Sequence, residues 1–310
     1  MSRVVVTGGS GKLGRACVSE LVNHGYDVVN VDRVLPADLL SRFANGESEE
    51  SLEPFFPVRA DLEDFGETLE ALAQVDQRYN GVDALVHLAA IPAPGLVPNH
   101  VVFRMNTMTT YNVFAAARRL GIQNVVWASS ETVLGLPFDT PPPAIPVDED
   151  MAPKPESAYA LAKLMGEEMA LQFCRWDPAL KIIGLRFSNV MEPQDYRAFP
   201  KFDAAPETRK WNLWGYIDAR DGATAIRLAL EAPLTGAEVF IIANAETVVT
   251  RPNRELVAKF FPGVPYREGA DPNETLLSIA KARQMLGYEP KHGWRRELGE
   301  SSETSFQRQE

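Results

Sequence analysis

The sequence predicts an α/β fold built on a doubly wound parallel sheet, and three observations support this prediction. Short apolar runs typical of buried strands alternate with segments whose apolar residues recur at helical spacing. A glycine-rich turn directly follows the first of these runs. The 310 residues, 45% of them hydrophobic, also suffice for one large domain with a smaller appendage.

The regular pattern covers the first two-thirds of the chain. Its β-rich apolar runs predict strands at 3–9, 26–32, 55–62, 83–90, 124–130 and 181–190. Apolar residues at helical spacing predict helices over 12–24, 100–120 and 156–176. Because the strands are apolar throughout and separated by helices, we expect a parallel sheet covered on both faces.

The rest of the chain is less regular. Acidic residues predict a surface insertion over 35–54, and prolines predict a long loop over 136–155. Further elements are predicted towards the end of the chain: a helix at 221–232, a strand at 238–245 and helices near 253–261 and 274–286. We therefore divide the chain into a core domain, a smaller interleaved substrate-binding region and a frayed tail, at 1–190, 191–300 and 301–310.

The composition bears on whether the protein binds nucleic acid, a metal ion or a membrane. The formal net charge is −11 and no run of Lys and Arg occurs, so a nucleic-acid partner is not expected. Cys17 and Cys174 lack metal-binding spacing and the four histidines are scattered, so no metal site is predicted. The chain enters a strand without a signal-like segment, and no apolar run reaches about 18 residues. We expect no membrane span and a cytoplasmic protein.

The glycine-rich turn has the spacing of a dinucleotide site. Gly8, Gly11 and Gly14 stand three residues apart between the first strand and the first helix. Glycines permit a tight turn and let a pyrophosphate approach the backbone amides at the helix N-terminus. Asp32 ends the second predicted strand, where a carboxylate binds ribose hydroxyls and repels a 2′-phosphate. This pattern favours NAD over NADP, although Arg33 leaves NADP tolerance open.

Several further motifs accompany this turn and give the sequence a family resemblance. They are "DL" at 61–62, "HLAA" at 87–90, "NTMTTYN" at 106–112, "SSETVLG" at 129–135, "YALAK" at 159–163, "LRFSNVMEP" at 185–193 and "KARQMLGYEP" at 281–290. With the turn, they resemble the extended short-chain dehydrogenases/reductases, the NAD-dependent epimerase/dehydratase family. The resemblance implies a Rossmann fold, bound NAD, and a homodimer formed through the helices over 100–120 and 156–176.

The resemblance also implies roles for individual residues. Ser130, Tyr159 and Lys163 correspond to the catalytic serine, tyrosine and lysine. The residues implied to contact NAD are Gly8, Ser10, Gly11, Lys12, Leu13, Gly14, Asp32, Asp61, Leu62, Leu88, Ala89, Ala90, Asn106, Tyr159 and Lys163.

The pair Tyr159 and Lys163 suits proton transfer. A hydroxyl proton must leave when a hydride leaves the same carbon, so a base has to contact that oxygen. Lowering a tyrosine pKa from about 10 to about 7 takes about 4 kcal/mol. A positive charge at about 4 Å and an effective dielectric near 20 supplies about that much. Residues four apart on a helix are neighbours, so we predict that Lys163 assists Tyr159.

Two departures from the family pattern bear on the substrate. Glu131 and Thr132 follow Ser130 where dehydratases carry an Asp-Glu pair, which disfavours dehydration. The chain after residue 193 is shorter than in members that bind nucleotide sugars. Uronate dehydrogenases, which belong to the same family, are shortened in a comparable way. We therefore expect a small sugar or sugar acid. Candidate substrate residues are Glu131, Arg186, Asn189 and Arg197, with Arg209, Trp211, Trp214 and Arg220 as further candidates.

Three functions remain open at this point. The first is an NAD-dependent oxidoreductase that acts on a hydroxyl carbon of a small sugar or sugar acid and releases NADH. The second is a sugar-nucleotide epimerase that keeps its NAD tightly bound. The third is a non-catalytic NAD-binding regulatory protein, which the intact Ser130, Tyr159 and Lys163 disfavour.

Overall fold

The computed structural model of the protein describes residues 2–35, 55–74 and 79–299. Its main sheet contains seven parallel strands in the order β3-β2-β1-β4-β5-β6-β9. These strands are β1 (Arg3–Thr7), β2 (Asp27–Asp32), β3 (Phe55–Arg59), β4 (Ala84–His87), β5 (Asn124–Ser130), β6 (Lys181–Phe187) and β9 (Gly236–Ile242). A separate parallel pair consists of β7 (Val190–Met191) and β8 (Ile217–Asp218).

Helices cover both faces of this sheet. Their bounds are α1 (Lys12–Asn23), α2 (Phe65–Ala73), α3 (Asn99–Leu120), α4 (Ala158–Trp176), α5 (Phe199–Ala204), α6 (Ala219–Glu231), α7 (Asn253–Phe260) and α8 (Ala280–Leu286). Short 3₁₀ helices occupy 131–134, 193–198 and 206–212. The predicted doubly wound parallel sheet is confirmed. The predicted insertion, apart from residue 35, and the predicted tail lie outside the described residues.

Alternation along the strands creates two apolar cores. In β1, Val4 and Val6 belong to one buried cluster and Val5 belongs to the other. The first cluster includes Cys17 of α1 and Ile226 of α6, while the second includes residues of α2, α3 and α4. Successive side chains of a strand point to opposite faces, so each strand contributes to both cores. The first core also takes up much of the region after residue 190.

The chain reverses its direction of travel across the sheet between β1 and β4. Strands β2 and β3 lie on one side of β1, and β4, β5 and β6 lie on the other. Helices that cross from β1 and from β4 therefore diverge, which opens a crevice at the carboxyl ends of these strands. This crevice is where ligands bind in open α/β sheets.

Two helix predictions need correction. The sequence patterns did not predict α2, although Asp64 precedes it as N-cap and accepts a hydrogen bond from the Glu67 amide at 2.9 Å. The predicted helix over 274–286 is shorter and begins at Ala280. The amide of Thr275 instead bonds to the Ala245 carbonyl at 2.8 Å, and Leu277 bridges to Val147. Tertiary hydrogen bonds thus hold this segment extended.

Candidate active site

A cavity of about 1090 Å³ lies at the carboxyl ends of the central strands. This exceeds the roughly 300–1,000 Å³ of a typical small-molecule pocket, as a dinucleotide with a second small ligand would require. The predicted cofactor and catalytic residues that line it are Gly8, Ser10, Gly11, Lys12, Leu13, Gly14, Asp32, Asp61, Leu62, Leu88, Ala89, Ala90, Asn106, Ser130, Tyr159 and Lys163. The fold therefore brings together residues that are up to 155 positions apart, from Gly8 to Lys163.

The glycine-rich turn forms a tight backbone cradle at one end of the cavity. Gly8 has a φ of +73°, and a Cβ there would lie 2.6 Å from the Ala89 amide nitrogen. A Cβ on Gly14 would lie 2.1 Å from the Gly8 carbonyl oxygen. Helix α1 begins directly after Gly11 without a side-chain cap, so its first amides are free to bind an anion. The cradle fits the pyrophosphate of a dinucleotide.

Asp32 stands beside this cradle at the end of β2. Its Oδ2 accepts a hydrogen bond from the Ser10 amide at 3.0 Å, and its Oδ1 accepts one from the Val34 amide at 3.2 Å. Each carboxylate oxygen retains acceptor capacity for a ribose hydroxyl. Arg33 is exposed, and its Nε lies 4.0 Å from the Asp61 carboxylate. A negative carboxylate in this position suits an unphosphorylated ribose.

Asn106 forms hydrogen bonds with the loop that follows β4. Its Oδ1 accepts a hydrogen bond from the Ile91 amide at 2.8 Å, and its Nδ2 donates to the Ile91 carbonyl at 3.0 Å. Both groups of the side-chain amide are therefore used to fix one backbone residue. Ile91 itself lines the cavity, so Asn106 shapes the cavity wall from helix α3.

Ser130, Tyr159 and Lys163 meet where β5 ends and α4 begins. Tyr159 and Ser130 both line the cavity, and the Ser130 side chain is near enough to the phenol to lower its pKa. Lys163 lies one helical turn after Tyr159, with its Nζ 5.7 Å from the tyrosine ring centroid and 2.6 Å from the Ala128 carbonyl oxygen, to which it donates. All three side chains are less than 10% exposed, so their electrostatic interactions are weakly screened.

A glycine allows α4 to come this close to β5. A Cβ on Gly166 would lie 2.5 Å from Cη2 of Trp127, the central aromatic side chain of β5. Nζ of Lys163 also lies 5.7 Å from the Trp127 ring. The helix is therefore seated directly on the strand that carries Ser130. This contact was not predicted, because the two residues are 39 positions apart.

The proton-transfer groups have perturbed pKa values. Burial raises the pKa of Tyr159 to about 12. The Ser130 side chain lowers this pKa, and nearby Glu131 raises it. Burial also lowers the pKa of Lys163 to about 8. Moving the tyrosine pKa from about 12 to about 7 takes about 7 kcal/mol, which is more than one positive charge supplies. A second positive charge in the cavity is needed for Tyr159 to ionise.

Two of the predicted substrate residues lie elsewhere than expected. Arg186 does not line the cavity; its Nε and Nη2 donate to the two carboxylate oxygens of Glu167 at 2.9 and 2.8 Å. Arg197 is exposed on the 3₁₀ helix over 193–198 and does not line the cavity either. Both long side chains are positioned by local surroundings that the sequence pattern does not reveal. The expectation that they contact substrate needs correction.

Some of the further substrate candidates line the cavity and others do not. Trp214 is fully buried, and Arg220 pairs with Asp218 and Glu297, so neither lines the cavity. Trp211 is partly buried and does line it. Asn189 lines it as well, and its Oδ1 accepts a hydrogen bond from Arg209 at 2.8 Å.

Glu131 is the buried acid of this cavity. Ser188 donates to its Oε2 at 2.6 Å, and Asn212 donates to its Oε1 at 3.2 Å. Burial raises the Glu131 pKa to about 7, although these two hydrogen bonds act in the opposite direction. Sequence reasoning missed both residues. Ser188 stands in the "LRFSNVMEP" motif but is 57 positions from Glu131, and Asn212 is 81 positions away and belongs to no motif.

Neither a metal cluster nor a membrane span is found in the part of the chain that the structure describes. No group of three or more His, Cys, Asp or Glu side chains within residues 2–35, 55–74 and 79–299 is arranged to share a metal ion. Within the same ranges, each helix is too short or too polar to cross a bilayer.

Comparison with known proteins identifies relatives of this fold and site. The profile of the NAD dependent epimerase/dehydratase family matches residues 4–243. The chain is 26% identical to a UDP-glucose 4-epimerase of Corynebacterium glutamicum, over 94% of this chain and 91% of that protein. It is 26% identical to an L-arabinose 1-dehydrogenase (NAD(P)(+)) of Haloferax volcanii, over 76% of this chain and 84% of that protein. A crystal structure of UDP-galactose 4-epimerase superposes with a TM-score of 0.66 at 26% identity, covering 96% of both chains.

Proposed function

The chain belongs to the NAD-dependent epimerase/dehydratase family and is an NAD-dependent oxidoreductase, and we propose that it oxidises a hydroxyl carbon of a small sugar or sugar acid. The observation that carries this proposal is that Ser130, Tyr159 and Lys163 line the same cavity as the glycine cradle. Similarity to a sugar 1-dehydrogenase supports the net reaction.

The proposed roles follow from the chemistry of each side chain. Bound NAD supplies the hydride acceptor and, when oxidised, a second positive charge beside the phenol. Tyr159 takes the hydroxyl proton of the substrate, and Ser130 holds the same oxygen by a hydrogen bond. Lys163 stabilises the phenolate through its positive charge. The backbone at Gly8 and Gly11 and the carboxylate of Asp32 hold the pyrophosphate and the ribose.

A panel of substrates tests this function. We expect purified protein to generate absorbance at 340 nm when free sugars or sugar acids are added with NAD. A sugar-nucleotide epimerase is the second candidate, favoured by the similarity to UDP-glucose 4-epimerases. It would retain NAD through gel filtration and interconvert UDP-sugars without net NADH. That result would contradict the proposed dehydrogenase.

We also propose a homodimer through α3 and α4. These adjacent helices expose large apolar side chains, namely Met108, Tyr111, Leu120, Leu161, Leu171 and Trp176, each between 37% and 52% exposed. Apolar side chains concentrated on one face are typical of a surface that a partner covers. A second copy of the chain would bury both faces symmetrically.

The dimer predicts a change of mass in one variant. Leu171→Glu places a charge on the proposed face, and we expect light scattering after size exclusion to show a monomer. Met285→Glu on α8, where Met285 is 38% exposed, is the matched control and should leave the mass unchanged. A monomeric unmodified protein would contradict the proposal.

We also propose a cytoplasmic location, from the state of the two cysteines. Cys17 and Cys174 are both buried and free. Free thiols are typical of proteins that work in a reducing compartment. Fractionation of cells that express the full chain would test this location.

A further inference from the structure

The charges around the cavity differ between its two ends. Gly8, Gly11 and Asp32 mark the cofactor end. We call the opposite part the substrate end, which is lined by Ser130, Glu131, Thr132, Ser188, Asn189 and Trp211. A substrate oxygen must lie near Ser130 and Tyr159, so the rest of the substrate contacts this set.

The Lys and Arg side chains that line the cavity already have partners or roles of their own. Among the described residues, Lys12, Arg33 and Lys163 are the Lys and Arg side chains on its wall. Lys12 pairs with Asp195 at 2.7 Å, and Arg33 adjoins Asp32, so both stand at the cofactor end. Lys163 donates to the Ala128 carbonyl and serves Tyr159. In the described ranges, no cation is left at the substrate end to pair with a carboxylate or a diphosphate.

Arg209 lies behind the substrate end, and its guanidinium already donates hydrogen bonds within the protein. Its Nη1 donates to Asn189 Oδ1 at 2.8 Å, and its Nη2 donates to the Gly215 carbonyl at 2.7 Å. Its guanidinium carbon lies 5.1 Å from the Trp211 ring centroid and interacts electrostatically with Glu131. Arg209 is 6% exposed and does not line the cavity. It positions the wall, and its positive charge favours the ionised form of Glu131.

Glu131 makes the substrate end unfavourable for anions. Glu131 lines the cavity, and its carboxyl is fixed by Ser188 and Asn212. Above its pKa of about 7, the ionised carboxylate repels a second anion in a buried site, whereas it accepts hydrogen bonds from hydroxyl groups. Trp211 adds a partly buried aromatic surface suited to the carbon face of a sugar ring.

We propose that the substrate is an uncharged sugar, and that Glu131 selects it against sugar acids and sugar nucleotides. This inference rests on the proposed function and narrows its substrate class. Glu131 acts as a specificity determinant that accepts hydrogen bonds from sugar hydroxyls. The proton transfer remains with Tyr159.

Matched substrate pairs test the proposal. With NAD, kcat/KM is measured for D-glucose against D-glucuronate and for D-galactose against D-galacturonate, with L-arabinose as a third neutral sugar. We expect the neutral member of each pair to be preferred at least about tenfold, because uncompensated like charges cost about 1.4 kcal/mol or more. A preference for the acids, or turnover of UDP-glucose at a comparable rate, overturns this inference alone. Absence of NADH with every sugar overturns the proposed function and this inference with it.

A substitution tests the residue itself. Glu131→Gln keeps the size of the side chain and removes its negative charge. We expect the ratio of kcat/KM for acid over neutral sugar to rise about fivefold or more. A merely structural defect would lower both values together and leave the ratio unchanged, which would overturn the role of Glu131. Glu168→Gln, the same change on the exposed face of α4, is the control and should leave the ratio unchanged.

Discussion

Tyr159→Phe is expected to lower turnover by about 10²–10⁴-fold, the range supplied by a positioned general base. The substitution removes one oxygen and retains the buried ring, so the packing of α4 on β5 is preserved. Without the phenol, the substrate hydroxyl proton has no acceptor beside Ser130. Initial rates at 340 nm over the sugar panel measure this loss.

The same experiment separates a chemical defect from a binding defect. We expect the dissociation constant of NADH, measured by fluorescence titration, to change by less than about threefold, because the glycine cradle is untouched. Tyr26→Phe removes a phenol that hydrogen-bonds to Glu231 away from the cavity, and it should leave turnover unchanged. A fully active Tyr159→Phe protein would refute the assignment of the base.

Glu167→Ala is expected to destabilise the fold by about 3–5 kcal/mol, the usual cost of leaving a buried charge without its partner. Glu167 is 7% exposed and Arg186 is 3% exposed. Besides two bonds from Arg186, Glu167 accepts one from the Ser129 hydroxyl at 2.5 Å. Removing the carboxylate leaves the guanidinium charge unpaired between β6 and α4. Urea unfolding monitored by circular dichroism gives the free energy of unfolding.

A double substitution distinguishes loss of the pair from loss of packing. Glu167→Leu combined with Arg186→Met removes both charges and keeps most of the volume, so we expect it to recover most of the lost stability. Glu70→Ala, on the exposed face of α2, should change the free energy of unfolding by less than about 0.5 kcal/mol. A double variant as unstable as Glu167→Ala would contradict the unpaired charge as the cause of the destabilisation.

The cofactor end was predictable in detail because its residues form local motifs. Gly8 to Gly14 span one turn, and Asp32 follows at the end of the next strand. Tyr159 and Lys163 share one helix, where residues four apart are always neighbours. Such short-range spacing fixes geometry once the surrounding strand and helix form. All of these residues line the same cavity.

Elements with weak or competing signals were harder to predict. Helix α2 has a capping pair, Asp64 and Glu67, but its length of nine residues gives only a short stretch of helical periodicity. The segment over 274–279 carries a helix-like pattern, yet backbone bonds to residues far away in the sequence, among them Val147 and Ala245, hold it extended. In both cases, contacts made only in the folded chain decide the outcome.

The sequence by itself determined the strand and helix alternation, the dinucleotide cradle and the proton-transfer pair, because each depends on residues close together in the chain. The tertiary structure alone decided which charges remain free to meet a substrate. Arg186 forms an ion pair with Glu167, and Arg209 donates a hydrogen bond to Asn189 and lies near Glu131. Long charged side chains pair with whichever acid the fold brings near them, and that acid is distant in sequence.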